Sequence, residues 1–398
     1  MVRLLDRRLG PWLCRILSVW DKLTRGLCRP RSGAGRDIRK VVFVKLSELG
    51  AVICAYPLMK RIKDTYPKAD LFFVTFEQNR EVFDLLGGLI PPENVLTVRM
   101  DSPRAFLGDS LRVCRYLSRQ KLDAAFDLEF FSRSSAILTY LSGAARRIGF
   151  FGYTFEGLYR GALLTHRIQY NPLSHISRSY YSLSAVLSLE GKKTPELGEQ
   201  VPAEALTLPQ YVPDGEMLDS MQDVLRKAGV MPGHKILLLH IGDGCLSLRE
   251  WPFTHFEVLV RQLLIDTNVF LVFVGSQSDD RQIDKMQSLE PQRCLNLNRR
   301  TKLRELMALF HLADALFSND CGLVHLAALS RINKFILYGP ESPRVFAPLG
   351  PRTHIIYSDL PCSPCFSAFN HRTSTCRDNI CLKMIDPQEV ARAITDSL

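Results

Sequence analysis

The sequence predicts an α/β protein of two doubly wound domains, preceded by a basic amphipathic helix. Three observations carry that prediction. From residue 39 onward, short β-rich runs alternate with helical patterns, the signature of βαβ units on a parallel sheet. The alternation lapses once, between about residues 190 and 232, and then restarts. The first 25 residues repeat apolar groups at spacings of three and four. A length of 398 residues suits two domains of roughly 150–200 residues each. The expected layout is an arm over 1–36, a first domain over 37–195, a linker over 196–232, a second domain over 233–385 and a C-terminal helix over 386–398.

In the arm, Leu5, Leu9, Leu13, Ile16, Leu17, Trp20 and Leu23 form one apolar stripe, with Trp12 beside it and Arg3, Arg7, Arg8, Arg15, Asp21 and Lys22 on the other side. Pro11 either breaks this helix or begins it. Residues 1–40 hold eleven basic groups against three acids, so this tenth of the chain supplies +8 of the net +10. Trp and Arg together suit an anionic membrane surface; the alternative is that the stripe docks on the protein itself. A signal peptide is not expected, because Arg15 interrupts the apolar region. No apolar run approaches the roughly 20 residues of a bilayer span, so an integral membrane protein is not expected either. Nucleic acid is an unexpected partner, since the basic surplus sits in the arm and no reader motif appears.

The first domain begins with a buried strand, Lys40 to Lys45, followed by the loop Ser47-Glu48-Leu49-Gly50 and a helix containing Val52, Ile53, Leu58, Met59 and Ile62. Strands follow at Leu71–Phe76, Val95–Val98 and Asp123–Leu128, with helices at Glu81–Leu86, around Leu107–Leu117 and at Ser132–Leu141. The segment Phe150 to Tyr181 mixes aromatic and basic groups, either a surface for an anionic ligand or ordinary packing. Pro195, Pro202, Pro209 and Pro213 mark the linker. In the second domain, strands are expected at Lys235–Ile241, Val269–Val274, Ala315–Ser318 and Lys334–Tyr338, and helices at Phe253–Leu264, Lys302–Leu312 and Leu323–Leu329.

In such sheets ligands bind at the carboxyl ends of strands, so the strand-end loops carry most weight. Ser318-Asn319-Asp320-Cys321-Gly322-Leu323-Val324-His325 follows a strand and opens a helix. Asp320 is expected to cap that helix, Gly322 to admit a ligand closely, and the first-turn N–H groups to meet a diphosphate. Three further loops share this placement: Lys45 to Gly50; His240-Ile241-Gly242-Asp243-Gly244 with Arg249 before Trp251-Pro252; and Gly339-Pro340.

These four loops, in this order, resemble glycosyltransferase family 9, the heptosyltransferases, over about residue 39 to the C-terminus. The resemblance implies a GT-B fold, two Rossmann-like domains facing a cleft. It also implies inverting, metal-independent sugar transfer from a nucleotide donor such as ADP-heptose to a lipopolysaccharide-type or other glycan acceptor, with no cofactor required. It places work at the cytoplasmic face of an inner membrane. On it, Asp320, Gly322, Leu323, Val324 and His325 contact donor diphosphate and sugar; Lys45, Ser47, Gly50, His240, Gly242, Asp243, Gly244, Gly339 and Pro340 complete the donor set; and Arg249 neutralises the departing diphosphate. Trp251 is expected in the core.

One departure matters. The family's first loop usually runs Gly-Asp, the aspartate being the general base, whereas this chain has Gly50-Ala51. Glu48 is the expected replacement base and Glu129 the second choice; helix-end charge compensation is the plainer role for Glu48. A non-catalytic nucleotide-sugar or glycan binder is the alternative function. Of eleven cysteines, Cys54, Cys114 and Cys294 read as reduced core thiols, the pattern of a cytosolic protein. Cys362, Cys365, Cys376 and Cys381 have the form of a structural tetrathiolate for zinc or an iron–sulfur cluster, with free thiols or disulfides as the alternative. A metal-based redox or sensor role is the weakest reading.

Overall fold

The computed structural model describes residues 6–25, 38–152, 158–188, 200–242, 247–266, 268–275 and 280–398. The chain divides into two compact units, Met1–Thr207 and Leu208–Leu398. Asp243 and Gly244, the expected flexible connection after the N-terminal helix, and residues 189–199 lie outside the described residues.

The first unit holds a six-stranded sheet, all of its pairs parallel, in the order β3-β2-β1-β4-β5-β6. Its strands are β1 (Lys40–Val44), β2 (Asp70–Phe76), β3 (Val95–Val98), β4 (Ala124–Asp127), β5 (Arg146–Phe151) and β6 (His166–Gln169). Helix α1 is Gly10–Arg25; α2 (Leu49–Cys54) and α3 (Tyr56–Thr65) follow β1; α4 (Pro103–Gln120) and α5 (Arg133–Leu141) flank β4; α6 is Ile176–Ser182. The runs in β1 and β2 are continuously apolar because helices cover both faces of a parallel sheet. Phe43 stacks between Phe73 and Phe126, with centroids 6.1 and 5.5 Å away. Ser102 caps α4 by accepting the Ala105 N–H at 3.1 Å, and Ser132 caps α5.

The second unit repeats this frame, with strand order β12-β11-β10-β7-β8-β9. Its strands are β7 (Lys235–His240), β8 (Val269–Phe273), β9 (Cys294–Asn296), β10 (Ala315–Asn319), β11 (Asn333–Tyr338) and β12 (Thr353–Tyr357). The helices are α7 (Gly215–Lys227), α8 (Phe253–Leu263), α9 (Asp280–Gln287), α10 (Leu303–Leu312), α11 (Gly322–Ala327), α12 (Pro343–Phe346), α13 (Ile380–Lys383) and α14 (Pro387–Thr395). Helix α7 falls inside the stretch read as linker; Asp214 caps it by accepting the Met217 N–H at 2.8 Å. Taken in sequence order, both sheets place their first strand beside their fourth. Each unit therefore has one switch point, between β1 and β4 and between β7 and β10.

Helix α1 packs with its less apolar face inward. Cys14 and Leu17 meet Ala136, Ile137 and Tyr140 of α5, and Ser18 and Asp21 are buried with them. The stripe of Leu9, Trp12, Leu13, Ile16, Val19, Trp20 and Leu23 faces outward, and Trp12 is 64% exposed. Docking of the expected stripe on the protein itself, the alternative above, is thereby overturned for Leu9, Leu13, Ile16, Trp20 and Leu23 and for Trp12 beside them; Leu17 turns inward, and Leu5 lies outside the described residues. Pro11 sits in the first turn of α1, where its missing N–H costs nothing; Asp6, Arg7 and Arg8 are helical too, so the pattern is interrupted at the turn of Leu9 and α1 starts afresh after it.

Candidate active site

At the first switch point the strand-end loops build a caged carboxylate. Glu129, just past β4, accepts from Lys45 Nζ at 2.7 Å, from the Leu46 and Ser47 N–H groups at 2.9 and 3.0 Å, and from the Ser47 hydroxyl at 3.2 Å. Lys45 is buried at the end of β1, so its ammonium needs this partner. Glu48 lies beside it, 3.6 Å from Lys45 Nζ, with its side chain 37% exposed. Its backbone has φ 67° and ψ 96°, a conformation that costs a non-glycine residue about 1–3 kcal/mol and that concentrates at functional sites. Gly50 and Ala51 are buried in α2, and Ala51 offers only a methyl group.

Behind Glu129 stands a second ion pair. Asp127 accepts the Glu129 N–H at 3.2 Å and meets the Arg160 guanidinium at 3.2 Å, both groups being buried. Burial lifts the Asp127 carboxyl up to about 6, against the pull of Arg160. Burial likewise lowers the Arg160 guanidinium, which also donates to the Phe150 carbonyl. Phe130, Phe150, Tyr170 and Tyr180 pack on one another nearby, and the Arg160 guanidinium lies 5.4 Å over the Phe131 ring. The aromatic groups Phe150, Tyr170 and Tyr180 are therefore core, and packing, not an acceptor surface, accounts for them.

At the second switch point the signs are reversed. Arg249 is the caged group: its guanidinium lies 2.6 Å from Glu341 and 3.5 Å from Asp320. Arg372 meets the same Glu341 oxygen at 3.0 Å. Neither Glu341 nor Arg372 was expected; Glu341 was legible only as the neighbour of Gly339-Pro340, and nothing near Arg372 in sequence marks it. Asp320 does not cap α11. The cap position is Cys321, with no side-chain cap bond, because the Asp320 carboxylate is turned to Arg249.

His240, at the end of β7, puts Nδ1 3.1 Å from the Ser318 hydroxyl and 3.5 Å from the Cys321 sulfur. Burial pushes the Cys321 thiol up, but His240 and the hydrogen bonds from His240 and Ser318 bring it below the ordinary value. A Cβ on Gly275 would meet His240 Cδ2 at 2.8 Å, and its φ of +148° demands glycine as well. Gly322 is exposed, Leu323 half-buried and His325 buried. Val324 packs against Ile336 and Tyr338, which leaves only its backbone for a ligand. Trp251 is in the core as expected, edge-on to Phe256 at 5.0 Å.

The C-terminal cysteines do not assemble as expected. Among the described residues, no group of three or more His, Cys, Asp or Glu side chains is disposed to hold a metal. Cys362 and Cys376 are exposed, Cys381 is buried, and Cys376 Sγ donates to the Asp378 carbonyl at 2.9 Å. Their segment instead supports the Gly339-Pro340 turn: Cys365 and Phe366 N–H groups bond the Pro340 carbonyl at 3.0 and 2.8 Å. A Cβ on Gly339 would strike Leu382 at 2.6 Å and Cys381 at 3.1 Å.

Comparison with known proteins agrees with this architecture. The model of Glycosyltransferase family 9 (heptosyltransferase) matches residues 110–374. Lipopolysaccharide heptosyltransferase 2 of Salmonella typhimurium is 22% identical over 325 residues, 80% of this chain and 87% of that protein. Lipooligosaccharide heptosyltransferase 2 of Haemophilus influenzae is 31% identical over 112 residues, 27% of this chain and about a third, 32%, of that protein. The solved structure of Escherichia coli ADP-heptose lipopolysaccharide heptosyltransferase II superposes with a TM-score of 0.67 at 21% identity, covering 90% of this chain and 98% of that one.

Proposed function

The chain belongs to glycosyltransferase family 9, the heptosyltransferases, and from that premise we propose that it transfers a heptose-like sugar, with inversion, from a nucleoside diphosphate donor to a lipopolysaccharide-type glycan. The acceptor hydroxyl gives its proton to Glu48 as its oxygen attacks the anomeric carbon. The bond from that carbon to the diphosphate oxygen breaks on the opposite face, and the electron pair leaves with the nucleoside diphosphate. Arg249 and the backbone N–H groups at Gly322 and Leu323 meet the developing charge, so the reaction needs no metal ion. Fixed cations of this kind act without reorganising during the reaction, and the Asp320–Glu341 cage fixes this one. The Salmonella and Escherichia coli relatives act, by name, on lipopolysaccharide, and ADP-heptose is the donor in the latter's name. The same donor and acceptor classes are the ones proposed here.

The observation that favours turnover over mere binding is Glu48. It is a carboxylate at a strand end, partly exposed and held in a strained backbone conformation beside Lys45. Glu129 is the poorer base, because protonation would weaken the four hydrogen bonds it accepts. Work at the cytoplasmic face of an inner membrane completes the proposal, with α1 laid against the lipid. Among the described residues no helix is long and apolar enough to cross a membrane. The test is transfer from ADP-heptose and a panel of nucleotide sugars by wild type and Glu48→Gln. Loss of roughly 10²–10⁴ in kcat with donor affinity kept is expected. A wild type that binds donor and never turns over would make Ala51 decisive and leave a binding protein.

A further inference from the structure

Seven large apolar side chains on one helical face, two of them Trp, exceed the scattered exposure normal for a soluble surface. Exposed Arg15 and Lys22 lie on the same helix, with exposed Arg7 and Arg8 just before it, and Arg15 covers Trp12 at 5.5 Å and Tyr159 at 5.7 Å. A second copy docking here would bring these basic groups together, whereas anionic headgroups complement them.

The buried side of the helix makes a series of polar contacts, and they converge on one segment. Ser18 Oγ accepts the Ala162 N–H at 2.8 Å. Asp21 meets Arg147 at 3.4 Å, and Arg147 Nε donates to the Leu163 carbonyl at 2.6 Å. Asp6, just before the helix, accepts Ser134 N–H and hydroxyl at 2.6 Å and lies 3.8 Å from Arg133, which donates to the Tyr159 carbonyl at 2.7 Å. These contacts hold the backbone on both sides of Arg160. Between them Gly161, at φ +64°, lies against Ser18 Oγ and Cys14 O, where an added Cβ would be 2.1 and 2.7 Å away. Arg160 in turn reaches Asp127, and Asp127 the backbone of Glu129.

We infer that α1 clamps the first unit from a lipid surface: an anionic bilayer takes its outward apolar face, while its inward polar face fixes the 158–164 segment and thereby positions Arg160 behind the candidate active site. Arg160 is on this account a positioning residue. The inference rests on the membrane placement proposed above and adds regulation to it, since lipid that steadies the helix also steadies the segment. Ordering of this kind is legible in exchange rates, because local opening need not be global.

Hydrogen exchange of the full chain, with and without mixed phosphatidylethanolamine–phosphatidylglycerol vesicles, tests it. Slowing in both 9–25 and 158–164 is expected, by about fivefold in the latter, the factor that one hydrogen bond's worth of opening free energy supplies. Trp12→Ser with Trp20→Ser should abolish vesicle sedimentation and both protections. Gly161→Ala should keep sedimentation and uncouple 158–164; Ser18→Ala, which adds no volume, serves if that variant does not fold. Protection of 9–25 with 158–164 unchanged in the wild type overturns the clamp and leaves the membrane placement standing. Failure of the wild type to sediment with vesicles, or a dimer formed through this face, overturns the membrane placement itself.

Discussion

In the first unit, the loop after β1 delivers a lysine to a buried glutamate; in the second, the loop region after β7 delivers an arginine to two carboxylates. The strand orders are the same in both, and so is the place, the carboxyl end of the first and fourth strands. What differs is which sign is caged and which is left to face a ligand. Caging Glu129 leaves Glu48 as the partly exposed carboxylate, the group suited to receive a proton. Caging Arg249 instead holds a cation in one orientation, the requirement for meeting charge that appears only as a leaving group departs. On the proposed mechanism one frame hosts two chemistries, because topology fixes where a site lies and side chains fix its sign.

Glu48→Gln, with its expected loss above, tests the first half of the comparison; the next largest effect breaks the second half. Arg249→Ala should lower kcat about 10²–10³-fold, read in steady-state transfer from the best donor. An unchanged kcat would reduce Arg249 to a structural ion pair.

Next comes the first cage. Glu129→Gln leaves Lys45 buried without its carboxylate, and breaking such a pair costs about 3 kcal/mol. Denaturant unfolding should show that loss, with Glu48 still in place. Equal stability would mean that Glu48, already 3.6 Å from Lys45 Nζ, suffices as its partner, and the division of labour between the two glutamates would fall.

The smallest effect is in pH. Burial raises the Asp127 carboxyl to about 6, so the folded chain binds that proton more tightly than the unfolded chain does. Its contribution to stability is therefore complete below about pH 4 and declines as pH rises through about 6. Asp127→Asn should flatten the stability–pH slope across that window, measured by thermal unfolding at fixed ionic strength. A slope unchanged by the substitution would show that Arg160 compensates the charge fully.

Much of the frame was legible from local spacing. Continuous apolar runs identify β1, β7, β8 and β11, because strands buried on both faces need them. Other elements were not legible. β9 has three residues, β12 is largely unburied and its apolar run is only Ile355-Ile356-Tyr357, and prolines around α7 masked its Asp214 cap. At the site, the loops bearing Glu48, Arg249, His240 and Asp320 follow from strand ends alone. Their partners do not: Glu341 reaches Arg249 only once β7, β10 and β11 lie side by side, and Arg372 then meets the same Glu341.

The sequence alone determined the periodicities, and through them two parallel sheets, an amphipathic helix and the loops that carry chemistry. Tertiary structure alone decided the pairings and the directions. Lys45 and Glu129 meet across 84 positions and Arg249 and Glu341 across 92, separations that no local pattern encodes. It also decided that α1 buries Ser18 and Asp21 and turns its Trp residues outward. Amphipathicity sets the two faces of a helix; which one turns inward depends on the polar groups the rest of the fold offers, here Arg133, Arg147 and the backbone around Gly161.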